Sequence, residues 1–155
     1  MAKVIPSSSS ANDLLTLENQ FCFALYSTSL AMTKTYKPLL DKLGLTYPQY
    51  LVMIVLWQED DLLVKTIGEK LFLDSGTLTP LLKRLEASGL LTRTRDAADE
   101  RQVKIALTKE GRALKKKAQM IPSEIVCASG MTEQQLSELR ARLNEIRNNL
   151  ACAPL

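Results

Sequence analysis

Histidine is absent from the 155 residues. The chain therefore has no imidazole for general-base catalysis, for a Ser-His triad or for holding zinc. Cysteine is scarce: Cys22, Cys127 and Cys152 stand far apart and no CxxC pair occurs. A structural zinc site or a thioredoxin-type motif is not expected from that spacing. The odd count, behind an N-terminus without the apolar core of a signal peptide, points to cytosolic thiols rather than a disulfide scaffold. Long apolar runs are missing too. The longest, Tyr50 to Trp57, is far too short to span a bilayer. The sequence thus predicts no metal, no cofactor and no membrane segment.

What is present suits one domain, or one protomer of an oligomer. Hydrophobic residues make up 46% and charged residues 24%, enough for a real core beneath an ordinary soluble surface. The net charge of +3 is unevenly spread. Residues 75–117 hold 11 Lys+Arg against 5 Asp+Glu, so a basic third sits on a mildly acidic body. That is the electrostatic footprint of a nucleic-acid-binding element attached to something else.

Hydrophobic spacing organises the chain. Residues 1–12, with four serines at Ser7–Ser10, form a loose polar tail. Leu14, Leu17, Phe21, Leu25, Met32, Tyr36, Leu39 and Leu43 recur at helical spacing, predicting one helix from Asp13 to about Leu43. Pro38 should kink it or end it early, and Gly44 supplies a stop. Thr46 and Gln49 fit a capping box for a second, buried helix through Trp57, with Pro48 in its first turn. A short helix follows at about Val64–Leu71. Asp74 or Ser75 caps the next, which Gly89 stops. Pro80 belongs in a first turn, so regular helix is expected only from Leu78 or Thr79.

Leu91–Arg95 and Val103–Leu107 alternate as strands, with the polar stretch Asp96–Gln102 as the tip of a hairpin. Thr108 caps a helix carrying Lys115, Lys116 and Lys117. Pro122 kinks or restarts it, and Thr132 with Gln135 caps a final amphipathic helix bearing Leu136, Leu139, Leu143, Ile146 and Leu150. The predicted fold is mainly α with a small β-hairpin: a winged helix-turn-helix whose N- and C-terminal helices form a dimerisation platform. The predicted units are 1–12 (tail), 13–45 (dimerisation helix), 46–107 (DNA-binding lobe), 108–150 (dimerisation helices) and 151–155 (tail).

In that arrangement the second helix of the motif offers Ser75, Thr77, Thr79, Lys83 and Arg84 to a major groove. Arg93 and Arg95 on one strand suit phosphate contacts. Arg101 at the hairpin tip suits a narrow, electronegative minor groove, and Asp99 beside it is counted with the DNA-binding residues. Surface Thr, Lys and Arg are usually only solvated; their joint placement in this order favours DNA. A dimer would present two such helices to the half-sites of a pseudo-palindromic operator.

Asp99-x-Arg101 followed by Leu107-Thr108-x-x-Gly111 resembles the wing signature of the multiple-antibiotic-resistance regulator (MarR) family. Asp74 to Glu86, followed by Gly89-Leu90, resembles its recognition helix. Cys22 in Phe21-Cys22-Phe23, with Tyr36 and Tyr47 downstream, is similar to the organic hydroperoxide resistance branch. The resemblance implies a homodimeric cytoplasmic repressor whose Cys22 senses organic hydroperoxides.

Such sensing needs a reachable thiolate, and free thiols ionise only near pH 8.5. No cation flanks Cys22. An apolar wall disfavours a thiolate, whereas hydrogen bonds donated to sulfur favour it, and tyrosine hydroxyls can supply them. Fourteen residues separate Cys22 from Tyr36, about 21 Å along one helix. The tyrosine that reaches the sulfur must then come from the partner subunit, and the same assignment is made for Tyr47. A sulfenic acid on Cys22 would condense with a second thiol. Cys127, inside the platform, is favoured as that resolving thiol, with Cys152 as the other candidate.

Two other functions compete. A repressor of the same family released by a small aromatic ligand would leave Cys22 a bystander. A thiol peroxidase would use the same Cys22 but leaves the basic third without a role.

Overall fold

The computed structural model describes residues 15–96, 99 and 101–153. The predicted tail 1–12, the helix start at Asp13 and residues 97, 98 and 100 of the hairpin tip lie outside them. A 3-10 turn at Leu17–Asn19 leads into α1 (Phe21–Asp41) and α2 (Tyr47–Gln58). Strand β1 (Leu62–Leu63), α3 (Val64–Leu71) and α4 (Ser75–Ala87) follow. The hairpin is β2 (Leu91–Arg95) and β3 (Val103–Leu107), and the chain closes with α5 (Lys109–Ala118), α6 (Ile121–Ser129) and α7 (Glu133–Ala151).

Four details correct the sequence reading. First, α1 begins at Phe21, because Thr16 to Gln20 turn in 3-10 and extended geometry before it. Second, Pro38 neither ends nor interrupts α1, which runs on to Asp41. Its missing N–H removes only one late backbone bond. Third, α4 starts at Ser75, not near Leu78. Asp74 accepts the Thr77 N–H at 2.8 Å, and this cap outweighs the one bond lost at Pro80 in the second turn. Fourth, the hairpin gains an edge strand: the order is β1-β3-β2, with Leu62 opposite Ile105 and Arg93 opposite Ile105 on the other side. Two residues carry no alternation, so β1 left no trace in the pattern.

The core lies where α2 meets α3, α4 and the sheet. Val52, Met53, Leu56, Ile67, Leu78, Leu82, Leu85, Leu91 and Ile105 are buried almost completely. Each such side chain contributes about 1.5–3 kcal/mol of transfer free energy. The apolar, nearly uniform α2 runs through this core, its start fixed by the Thr46 N–H donating to Gln49 Oε1 at 2.8 Å. Two glycines are required by close approach. A Cβ on Gly111 would collide with the Leu90 carbonyl oxygen, and one on Gly68 would meet the Leu73 carbonyl oxygen at 2.8 Å.

The terminal helices differ from this lobe. α7 has no buried residue, and Leu139, Leu143, Ile146 and Leu150 are exposed along it. Phe21, Phe23, Leu25, Tyr26, Leu30 and Met32 are exposed on α1. On α7 these form one stripe, and on α1 they lie on two faces; the protomer alone covers neither set. α7 also reaches the lobe, where the Arg147 guanidinium lies 4.2 Å over the ring of Phe72. Phe72 is the left-handed C-cap of α3, at φ 57°, a backbone region rare for a bulky side chain.

Candidate functional site

Cys22 lies in the first turn of α1 and is exposed, as are its neighbours Phe21 and Phe23. The helix between Cys22 and Tyr36 is unbroken, so the two are about 21 Å apart along the axis. Tyr36 packs at the other end of α1 on the first turn of α2. Its ring centroid lies 4.7 Å from that of Tyr47, tilted by 50°, and 6.0 Å from that of Tyr50. Tyr50 in turn meets Trp57 edge-on at 6.2 Å. Two of the sequence-predicted residues are thus brought together and the third is held apart.

Burial, followed by the fields of Tyr47 and Tyr50, pushes the Tyr36 phenol up to about 12. Burial also raises Tyr47 and Tyr50. These hydroxyls therefore stay protonated, as hydrogen-bond donors, across physiological pH. A cleft of about 480 Å³ opens beside Tyr36, walled by Pro122, Ile125, Val126 and Leu136, with Glu133 and Arg140 on α7. Tyr36 thus borders a mostly apolar space large enough for a small organic molecule.

Cys127 is on α6 and Cys152 is the C-cap of α7; both are free and exposed. The Cys152 N–H bonds to the carbonyls of Asn148 and Asn149.

The second candidate surface is built by α4 and the hairpin. Ser75, Thr77, Lys83 and Arg84 are exposed on α4, opposite the buried Leu78, Leu82 and Leu85. The Thr77 hydroxyl donates to Asp74 Oδ2 at 2.9 Å and the Thr79 hydroxyl to the Ser75 carbonyl at 2.7 Å. Their hydroxyl protons are held in the helix start, leaving methyl groups and oxygen lone pairs for a partner. Arg95 is exposed at the end of β2, while Arg93 is half-buried. The Arg93 Nη1 is 3.7 Å from Glu86 Oε2.

Asp99 shapes the turn that carries Arg101. Its Oδ1 accepts the Arg101 N–H at 3.0 Å and its Oδ2 accepts Gln102 Nε2 at 3.0 Å. Those two bonds, Gln102 first, hold its carboxyl below the usual range. Asp99 therefore orients Arg101 from within the tip; its charge is not offered to a phosphate.

The sequence missed what pins the wing. Asp60 Oδ1 accepts the Leu107 N–H at 2.8 Å and its Oδ2 accepts Arg112 Nη2 at 2.7 Å. Burial alone would raise this carboxyl, but the backbone bonds from Leu107 and Asp61 and the Arg112 pair lower it. Trp57 Nε1 donates to the Gly111 carbonyl at 2.9 Å, and the Thr108 hydroxyl to the Gly89 carbonyl at 2.7 Å. The Thr108-x-x-Gly111 motif thus joins recognition helix, wing and α5 at one corner. No local signal marks this role of Asp60, since the partners that tie it to the wing and α5 lie 47 and 52 residues away.

Known proteins are similar to this chain in sequence and fold. The family described as transcriptional regulator SarA/Rot matches residues 34–118. The organic hydroperoxide resistance transcriptional regulator of Bacillus subtilis (strain 168) is 52% identical, over 89% of this chain and 94% of that protein. Reduced AbfR bound to DNA superposes with a TM-score of 0.73 at 35% identity, covering 90% of this chain and 95% of that one. Disulfide-formed AbfR gives a TM-score of 0.60 at 38% identity, over 87% and 95% of the two chains. The protomer is therefore closer in shape to the DNA-bound reduced form than to the disulfide form.

Proposed function

The chain belongs to the organic hydroperoxide resistance regulators of the MarR family of transcriptional regulators, and on that premise we propose that it is a peroxide-released repressor. It works as a cytoplasmic homodimer on a pseudo-palindromic operator and is not an enzyme. The observation that carries this reading is the separation of Cys22 from the Tyr36–Tyr47 pair along α1. Each protomer holds a thiol at one end of a rigid helix and two aligned phenol donors at the other. Two α1 helices passing antiparallel would complete two sensor sites at once, covering their exposed apolar stripes. The exposed stripe of α7 supports the same platform.

The chemistry follows from that geometry. The Cys22 thiolate, hydrogen-bonded by Tyr36 and Tyr47 of the partner subunit, attacks the distal oxygen of the hydroperoxide. The O–O bond breaks, an alcohol leaves after protonation, and Cys22 becomes a sulfenic acid. Cys127 of the partner subunit, on α6, then attacks that sulfur; a disulfide forms and water leaves. Closing the link requires Cα atoms within about 7 Å. Any travel needed to bring them together moves α6 and, through α7, the contact of Arg147 with Phe72 beside the recognition helix.

DNA is held by Ser75, Thr77, Thr79, Lys83 and Arg84 in the major groove, by Arg93 and Arg95 on the backbone, and by Arg101 in the minor groove, with Asp99 positioning Arg101. The test is a gel-shift titration with cumene hydroperoxide. Reduced protein should bind its operator and oxidised protein should release it, while Cys22→Ser stays bound throughout. Release of Cys22→Ser by peroxide would refute the mechanism.

One observation favours a second reading. A cleft of about 340 Å³ lined by Leu30, Leu40, Leu45, Tyr47 and Pro48, with Lys34 and the Lys37–Asp41 pair, suits a small aromatic molecule. A Cys22→Ser protein that releases DNA on adding such a compound would support a ligand-responsive repressor.

A further inference from the structure

A third cleft, of about 560 Å³, lies between α4 and the wing. Its walls include Lys65 from the first turn of α3, Thr79 from α4, Arg93 from β2, and Arg101 with Gln102 from the hairpin. Three cations from three separate elements face one space, and among the described residues no carboxylate lines it. Their ion pairs are loose. Lys65 Nζ is 3.9 Å from Glu69 Oε1 with its side chain 84% exposed, and Arg93 keeps only the 3.7 Å approach to Glu86. The Arg93 Nε is buried and has no hydrogen-bond partner among the described residues. A buried donor on a cation is costly to leave unpaired. Three like charges around one cleft add repulsion that an anion would reverse.

We propose that this cleft seats one phosphate of the DNA backbone, gripped by Lys65 and Arg93, at the point where Arg101 passes on into the minor groove. The inference rests on the DNA-binding reading and deepens it. It makes Lys65 a DNA contact although it lies outside both the recognition helix and the wing, and outside the basic segment 75–117. Arg93 supplies its guanidinium, while its backbone N–H, donating to Glu86 Oε1 at 3.2 Å, fixes β2 to the end of α4. A phosphate seated there sets the angle between recognition helix and wing, so that major-groove and minor-groove contacts are made in register.

The experiment uses full-length reduced protein and a duplex selected from a random-sequence pool. Single neutral methylphosphonates are placed at successive backbone positions, and affinity is read by fluorescence anisotropy. One phosphate per half-site should be found whose neutralisation weakens wild-type binding by about fivefold or more, as expected for loss of a charge-assisted contact. At that position, Lys65→Gln and Arg93→Gln should lose little further affinity, about twofold at most, because the partner is already gone. Lys65→Gln alone should reduce the salt slope by about one for each half-site, equally on selected and unselected sequences. Lys65 is a surface side chain, so its variant stays informative if Arg93→Gln misfolds.

Equal penalties at every position in wild type and Lys65→Gln would overturn the proposal while leaving DNA binding intact. Binding weakened by inorganic phosphate beyond chloride at equal ionic strength, with no sensitive backbone position, would give the cleft to a free phosphate ion instead. A selection that retains no duplex would overturn the proposal together with the DNA-binding reading.

Discussion

Tyr36, near the end of α1, packs against Tyr47 of α2 with ring centroids 4.7 Å apart, while Cys22 lies in the first turn of the same α1. The pair is prepared within one protomer; in the proposed sensor site the thiol it serves belongs to the partner subunit. If both hydroxyls donate to the Cys22 sulfur of the partner subunit, removing either should slow oxidation. A hydrogen bond to a charged group is worth about 1.5–3 kcal/mol, so Tyr36→Phe and Tyr47→Phe should each slow it by roughly ten- to a hundredfold. Stopped-flow measurement with organic hydroperoxide checks this, and the affinity of the reduced variants for DNA should not change.

The same pair sets an alkaline limit. The Tyr36 phenol is raised to about 12, by burial first and then by Tyr47 and Tyr50, from about 10 in the unfolded chain. The fold therefore favours its protonated form. That stability is fully present below pH 10 and is lost as pH rises from about 10 through 12. An ultraviolet tyrosinate titration should show a late component that vanishes in Tyr36→Phe, and thermal melts should fall over the same window.

Arg101 is exposed at the wing tip and its backbone is held by Asp99. Arg101→Ala should weaken DNA binding and reduce the salt slope by about one for each half-site. Asp99→Ala should weaken it as well, while leaving the slope nearly unchanged, since it removes orientation rather than positive charge.

Asp60 carries the wing base. Asp60→Ala orphans the Leu107 N–H and the Arg112 pair and should cost about 2 kcal/mol in urea unfolding. Its carboxyl is lowered in the fold, so in wild type this stability is present above the unfolded value near 4 and fades as pH falls through the folded one. The wild-type and Asp60→Ala stabilities should therefore converge in acid.

Much of this was legible in the sequence because it is local. The caps at Thr46, Asp74, Thr108 and Thr132, the alternation of β2 and β3, and the buried run of α2 are all written within a few residues. The start of α1 was misplaced because Leu17 sits at helical spacing from Phe21 although the chain between them turns differently. β1 was too short for any pattern, and Asp60 has its partners far along the chain. Lys65 fell outside the charged segment that drew notice. The three proposed sensor residues were named from the family resemblance, and helix length already assigned Tyr36 to a second subunit; the packing of Tyr36 on Tyr47 carried no local signal.

The most direct test of the account is disulfide mapping by mass spectrometry in dimers that mix isotopically light and heavy subunits, after one equivalent of organic hydroperoxide per Cys22. The account predicts a Cys22–Cys127 cross-linked peptide pairing a light chain with a heavy one. A Cys22 that stays reduced, or a link formed within a single chain, would contradict it.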